Sequence, residues 1–214
     1  MNFERLYEFR FRDIDQGTRQ RVWQEIAAFM HRKLAEPERV LDPAAGRGEF
    51  INAVPAPERW AVDRVAYPQA SDAPSLRRIV SDVMSAELPL GHFDAIFVSN
   101  FLEHLTDQQA VAAFLERMRD CTRPGGRIAV IGPNYRYCAR EYWDFADHEV
   151  ALTHVAVEEH LYAAGFEPIE THARFLPYSF RSVLPASQWA TSLYLRSRLA
   201  WRVLGKQFLV IGRR

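Results

Sequence analysis

The sequence predicts an α/β fold, a doubly wound and mostly parallel sheet with helices on both faces. Three observations predict it. Short apolar runs bounded by turn residues recur along the chain and alternate with stretches of helical apolar spacing. The first clear run ends in an acid and a glycine-bearing loop, Asp42-Pro43-Ala44-Ala45-Gly46-Arg47-Gly48, as at the ligand end of such sheets. Nothing in the composition marks a second domain, so residues 1–214 are expected to form one.

Taken in order, residues 15–34 carry Val22, Ile26, Phe29, Met30 and Leu34 at helical spacing, ahead of Pro37. Val40-Leu41-Asp42 is a short buried strand. Phe50, Ile51 and Val54 suggest a brief helix stopped by Pro55 and Pro57. Strands follow at 60–63, 78–82 and 93–100. Thr106 or Asp107 can cap a helix containing Val111, Phe114, Leu115 and Met118, which Arg123-Pro124-Gly125-Gly126 stops. A strand at 127–131, a helix at 155–164, a strand at 168–175, a helix at 186–204 and a strand at 207–211 complete the reading. Residues 133–148 show no helical period.

The chain is long enough to bury a core without staples. Its 27 Lys and Arg balance 27 Asp and Glu, which argues against a nucleic-acid partner. Two cysteines, Cys121 and Cys138, make no disulfide framework. The residues from Met1 to Arg5 lack the apolar core of a leader, and no run approaches about 20 apolar residues. The expected compartment is the cytoplasm.

The loop at 42–48 carries the functional reading. Gly46 and Gly48 let the backbone turn tightly and approach a ligand. Asp63, at the end of the next strand, is placed to accept hydrogen bonds from ribose hydroxyls. A dinucleotide fingerprint asks for a third small residue where Ile51 stands. Asp42 and Glu49 beside a pyrophosphate would cost roughly a kcal/mol or more at close range. The same acids suit a ligand bearing an ammonium and a sulfonium.

Residues 42–48 resemble the first motif of class I S-adenosylmethionine-dependent methyltransferases, Asp/Glu-x-Gly-x-Gly-x-Gly, with Ala44 in place of the first glycine. Asp63 corresponds to the ribose-binding acid. Ser81-Asp82-Val83 resembles the segment whose acid meets the adenine amino group. Ser99-Asn100-Phe101-Leu102-Glu103-His104-Leu105 resembles the motif after strand four, and Arg123-Pro124-Gly125-Gly126 the turn before strand five. The resemblance covers about residues 38–135. It implies a Rossmann-like seven-stranded sheet whose last strand is antiparallel, and S-adenosyl-L-methionine as cofactor. It places Asp42, Ala44, Gly46, Gly48, Asp63, Asp82, Val83, Asn100 and Leu102 around that cofactor. Residues 1–36 are expected to form a cap, from which Arg10 can pair with the methionine carboxylate. Glu103 and His104 fit either a pair holding the loop or a place near the reacting groups.

Residues 134–160 and 176–205 are expected to be elaborations on the acceptor side. The stretch from Pro133 to His148 is dense in Tyr, Trp, Arg and Asp, which suits a polyhydroxylated or ring-shaped acceptor. It also resembles the same region of methyltransferases encoded with bacterial polysaccharide genes. His148 and His154 are the candidate bases for an acceptor hydroxyl. Asp147, His148, Glu149 and His154 share no helical metal-ligand spacing, so no metal is expected. Residues 186–204 mix Trp189, Leu193 and Trp201 with Arg196, Arg198 and Arg202. They fit a core or dimer-facing helix, and also contact with a membrane surface or lipid-linked substrate. The expected reaction is O-methylation of a small molecule, sugar or glycan precursor. The rivals are a protein or RNA acceptor, a non-catalytic adenosylmethionine-binding module, and an NAD-dependent oxidoreductase.

Overall fold

Seven strands form one sheet in the order β3-β2-β1-β4-β5-β7-β6. They are β1 (Arg39–Asp42), β2 (Glu58–Asp63), β3 (Leu76–Val80), β4 (Phe93–Ser99), β5 (Thr122–Pro133), β6 (Glu167–His172) and β7 (Gln207–Arg213). The structure, a computed structural model, describes residues 3–12, 15–67, 73, 75–178 and 187–214. Strands β1 to β5 pair in parallel, while β7 is antiparallel to both β5 and β6. This is the Rossmann-like sheet expected, with an antiparallel last strand. The chain leaves the middle at β1, steps outward to β3, and returns across β1 to start β4. The order therefore reverses beside β1, where such sheets open a crevice for a ligand.

Alternation along the strands builds two cores. Val40, Ala95, Phe97, Ala129, Leu209 and Ile211 face one layer. Their chain neighbours Leu41, Ile96, Val98, Ile128, Val130 and Val210 face the other. A pleated strand sends successive side chains to opposite faces, so continuous apolar runs read as strands covered on both sides. The first layer is closed by α2 (Gln16–Lys33), α3 (Glu49–Ala53), α7 (Gln188–Arg196) and α8 (Arg198–Leu204). The second is closed by α4 (Gln108–Cys121) and α6 (His154–Ala163). Helix starts are capped as their sequences ask: Asp15 accepts from the Thr18 N–H at 2.6 Å, and Asp107, not Thr106, accepts from the Ala110 N–H at 2.8 Å.

Three expectations are corrected. Residues 133–148 do contain a helix, α5 (Tyr135–Tyr142), which buries Cys138 and Tyr142 one turn apart. The helix expected over 186–204 is two helices, because Ser197 takes extended backbone and caps α8 by accepting from the Ala200 N–H at 3.2 Å. Strand β5 begins at Thr122, because the Arg123-to-Gly126 turn lies within an irregular pairing with β4. α1 (Phe3–Phe11) supplies the N-terminal segment. Residues 1, 2, 13 and 14 of the expected cap at 1–36, and 179–186 of the expected elaboration at 176–205, lie outside the described residues. Among the described residues, no helix is long and apolar enough to cross a membrane.

Candidate active site

The loop from β1 to α3 is shaped by its own backbone bonds. Ala45 N–H donates to the Val62 carbonyl at 2.9 Å, which ties the loop to β2, and Gly48 N–H donates to the Ala45 carbonyl at 2.7 Å. Gly46 and Gly48 take φ of +53° and +79°, the left-handed region that a side chain disfavours. A Cβ on Gly46 would meet nothing within 4 Å, so conformation alone asks for glycine there. Beneath the loop, Phe50 stacks on Phe97 of β4 with ring centroids 3.7 Å apart.

A cavity of about 1000 Å³ opens at the carboxyl ends of the strands. Asp42, Ala44, Gly46, Asp63, Asp82, Val83, Asn100, Arg10 and His148 line it, so the structure brings together most of the residues named from sequence. Gly48 only shapes the loop. Leu102 is packed into the second core layer, and neither residue is on the wall. His154 is not on the wall of this cavity; it starts α6, and its Nδ1 accepts from Asn134 Nδ2 at 3.0 Å.

The acids are held differently. Asp42 is 5% exposed, and burial pushes its carboxyl up to about 8. The Ala44 N–H and Arg78 oppose that rise, while Asp63 and Glu49 add to it. Asp63 has both oxygens engaged by backbone: Gly46 N–H donates to Oδ2 at 2.7 Å and Val65 N–H to Oδ1 at 2.9 Å. It therefore joins β2 to the glycine loop as well as facing the cavity. Glu49 pairs with Arg19 at 2.7 Å. Asp82 is half exposed, and its Oδ1 accepts from the Met84 N–H at 2.8 Å. Asn100 sits at φ +49° and its Oδ1 accepts from Gln207 Nε2 at 3.2 Å. Arg10 pairs with Asp147 and lies over the Phe145 ring, 4.8 Å from its centroid.

The far wall holds a second cluster. The Glu103 carboxylate lies 4.0 Å from His104 Nε2, and the His104 and His148 rings meet at 5.1 Å between centroids. Burial raises the Glu103 carboxyl from its ordinary range. Burial first, then His104, pushes His148 down to about 4, so its imidazole is neutral at pH 7. Asp147 is also buried, yet the Arg10 hydrogen bond and His104 hold its carboxyl below the usual range.

Among the described residues lining the cavity, Trp23 Nε1, His148 Nδ1, Tyr178 Oη and Gln207 Oε1 are buried without a hydrogen-bond partner. Groups of that kind mark where a polar ligand completes the bonding. Sequence reasoning missed Trp23, Tyr178 and Gln207. Gln207 left one signal, a polar residue opening an otherwise apolar strand. Trp23 is indistinguishable from its core neighbours on α2 by spacing alone.

A family profile described as "Methyltransferase domain" matches residues 16–176. A search of curated proteins gives no match. Among solved structures, a SAM-dependent methyltransferase from Archaeoglobus fulgidus is similar over 100% of both chains, at 17% identity and a TM-score of 0.66. The 1,6-didemethyltoxoflavin-N1-methyltransferase of Burkholderia thailandensis, solved with 1,6-didemethyltoxoflavin and S-adenosylhomocysteine, is similar over 99% of this chain and 88% of that one, at 20% identity and a TM-score of 0.61. The N-methyltransferase NodS of Bradyrhizobium japonicum, in complex with S-adenosylhomocysteine, is similar over 96% and 90%, at 16% identity and a TM-score of 0.62. Likeness at this level of identity is likeness of fold.

Proposed function

The chain belongs to the methyltransferase-domain family, and on that premise we propose that it transfers a methyl group to a hydroxyl oxygen of a small molecule, sugar or glycan precursor. It is a methyltransferase enzyme, and its cofactor is S-adenosylmethionine. The observation that carries the cofactor reading is Asp42. A carboxyl pushed up to about 8 by burial beside two other acids is relieved by a cationic ligand, and aggravated by a phosphate. The residues therefore fit the group. Asp42 and the 44–46 backbone would face its amino-acid end, Asp63 its ribose and Asp82 its adenine.

When bound, the cofactor supplies a methyl group made electrophilic by the sulfonium. The chain's own residues contribute placement, which is where much of the rate of such a displacement arises. Phe145, Tyr178 and His148 form an aromatic side of the same cavity, with Phe145 stacked on His148 at 5.1 Å and edge-on to Tyr178 at 5.3 Å. Such surfaces suit a ring-shaped acceptor, while Tyr178 Oη and Gln207 Oε1 offer unused hydrogen bonds to its polar edge. The B. thailandensis enzyme holds a small ring-shaped molecule in its own structure. Of the two histidines expected as base, His148 is the one on the cavity wall; its imidazole is neutral and can accept a hydrogen bond from an acceptor hydroxyl, while the same burial weakens it as a base.

One surface favours a lipid-linked form of the acceptor. On α7 and α8, Trp189, Leu193, Leu199 and Val203 are exposed beside Arg196, Arg198 and Arg202. Leu204, the last residue of α8, and Lys206 beyond it line the cavity. Apolar side chains among arginines suit an anionic lipid surface.

The test uses radiolabelled S-adenosylmethionine with fractionated small molecules, glycans, lipids, proteins and RNA. Label in a glycan or small-molecule fraction, lost with His148→Ala while S-adenosylhomocysteine still binds, supports the reading. Label confined to protein or RNA overturns the acceptor class, and tight cofactor binding with no labelled fraction makes the chain a binding module.

A further inference from the structure

Glu103, His104 and His148 each present one ligand atom within 4.8 Å of the other two, on the cavity wall. The backbone imposes this convergence. The Glu149 N–H at 2.8 Å and the Val150 N–H at 3.2 Å both donate to the Glu103 carbonyl, tying the 147–150 segment to the turn after β4. The His104 Nδ1–H donates to the Asp147 carbonyl at 2.7 Å. That bond sets the tautomer and leaves the Nε2 lone pair available, as around metal-ligating histidines whose other nitrogen is anchored to a carbonyl.

Two further atoms point the same way. Asp147 is 4% exposed; one oxygen pairs with Arg10, and the other, Oδ2, has no hydrogen-bond partner and lies 3.5 Å from His104 Nδ1. His148 Nδ1 is also buried without a partner. Glu103 is a carboxyl at 2% exposure. Buried charges are ordinarily paired or bound to metal.

We propose that Glu103, His104 and His148 bind one divalent first-row cation, with Asp147 supporting His104 from behind. Two imidazoles and one carboxylate suit Zn²⁺, Mn²⁺, Fe²⁺ or Co²⁺ over Mg²⁺ and Ca²⁺, which prefer all-oxygen shells. Donors about 2.1 Å from a cation lie roughly 3–3.5 Å apart, so the widest pair of these atoms, up to 4.8 Å apart, closes by about 1.5 Å on binding. The remaining positions face the cavity, where an acceptor oxygen can enter. In this assignment His148 is a ligand, and the acidity of the acceptor hydroxyl comes from the cation rather than from a free imidazole. That role rests on the acceptor reading of the cavity; the binding itself does not. Sequence spacing set a metal aside because it compared His148 with Asp147, Glu149 and His154, whereas the fold supplies Glu103 and His104.

The test is a titration of EDTA-dialysed full chain with Co²⁺, Zn²⁺ and Mg²⁺, followed by calorimetry and by the visible absorption of bound Co²⁺. One Co²⁺ or Zn²⁺ per chain is expected, with Mg²⁺ far weaker. His148→Gln and His104→Gln should each weaken Co²⁺ binding at least tenfold and change its spectrum. His160→Gln, on a half-buried histidine bonded to Gln108, should not. Glu103→Gln should act like the histidine variants; if it unfolds, His148→Gln carries the test. No stoichiometric binding by wild type, or full binding by His148→Gln, overturns the proposal. S-adenosylhomocysteine affinity, measured on the same samples, reports separately on the methyltransferase reading.

Discussion

Replacing Asp42 by Asn should stabilise the ligand-free protein and weaken the cofactor. In the fold this carboxyl ionises at about 8, against an ordinary 3.8. A carboxyl raised in this way favours the fold while it is protonated. Its stabilisation is complete below about pH 3.8 and is lost as the pH climbs toward 8. At pH 7 the loss approaches (7 − 3.8) × ~1.4, on the order of 4 kcal/mol as an upper bound. Asparagine keeps an acceptor for the Ala44 N–H, 3.3 Å away in the wild type, and removes the ionisation. For a chain of this size that ceiling corresponds to roughly 10 °C in Tm. The assay is thermal unfolding of wild type and Asp42→Asn, ligand-free, from pH 4 to pH 8. The gap should be small at pH 4 and widen steadily. A cationic ligand should also drive a proton off Asp42, so the enthalpy of S-adenosylmethionine binding at pH 7 should vary with the ionisation enthalpy of the buffer. A pH-independent gap, or tighter cofactor binding by the variant, refutes the reasoning.

Asp63→Ala removes the acceptor for the Gly46 and Val65 amides, so calorimetry should show at least tenfold weaker S-adenosylhomocysteine binding. Asp94 takes bonds from the Arg39 N–H at 2.8 Å and the Glu38 N–H at 3.2 Å, and pairs with Arg39 and Arg123. Although burial pushes its carboxyl up, these partners hold it at about 2, so its stabilisation is present above pH 3.8 and lost as the pH falls toward 2. Urea unfolding should show Asp94→Asn weaker than wild type at pH 6, with the gap closing near pH 2. Gly132→Ala places a Cβ 2.9 Å from Phe208 Cζ in the core, and should cost about 1–3 kcal/mol in urea unfolding.

The central strands and the first loop were legible in the sequence because local rules decide them. Strand β4 carries an unbroken apolar run from Ala95 to Val98, and the 42–48 loop announces itself by glycines that need positive φ. Helix α5 was not legible. It is eight residues long, and Cys138 at φ −133° interrupts its turn, so no helical period develops. The break between α7 and α8 escaped for the opposite reason: apolar spacing continues across Ser197, and only the cap reveals the stop. The meeting of His148 with Glu103 and His104 is beyond any local rule, since it depends on bonds between segments far apart in the chain. His154 shows the converse, a residue of suitable chemistry that the start of α6 turns away from the cavity.

The position of β7 has a consequence for how the molecule is made. Among the described residues, strand β6 pairs only with β7, and β7 lies between it and β5. Until residues 207–213 emerge from the ribosome, β5 presents an open edge of unsatisfied amides and carbonyls, and β6 has no place in the sheet. Phe208 through Ile211 then enter both hydrophobic layers at once. Assembly of this side of the sheet thus waits for residues 207–213, and a nascent chain stalled short of that point would show a sticky flank to its neighbours.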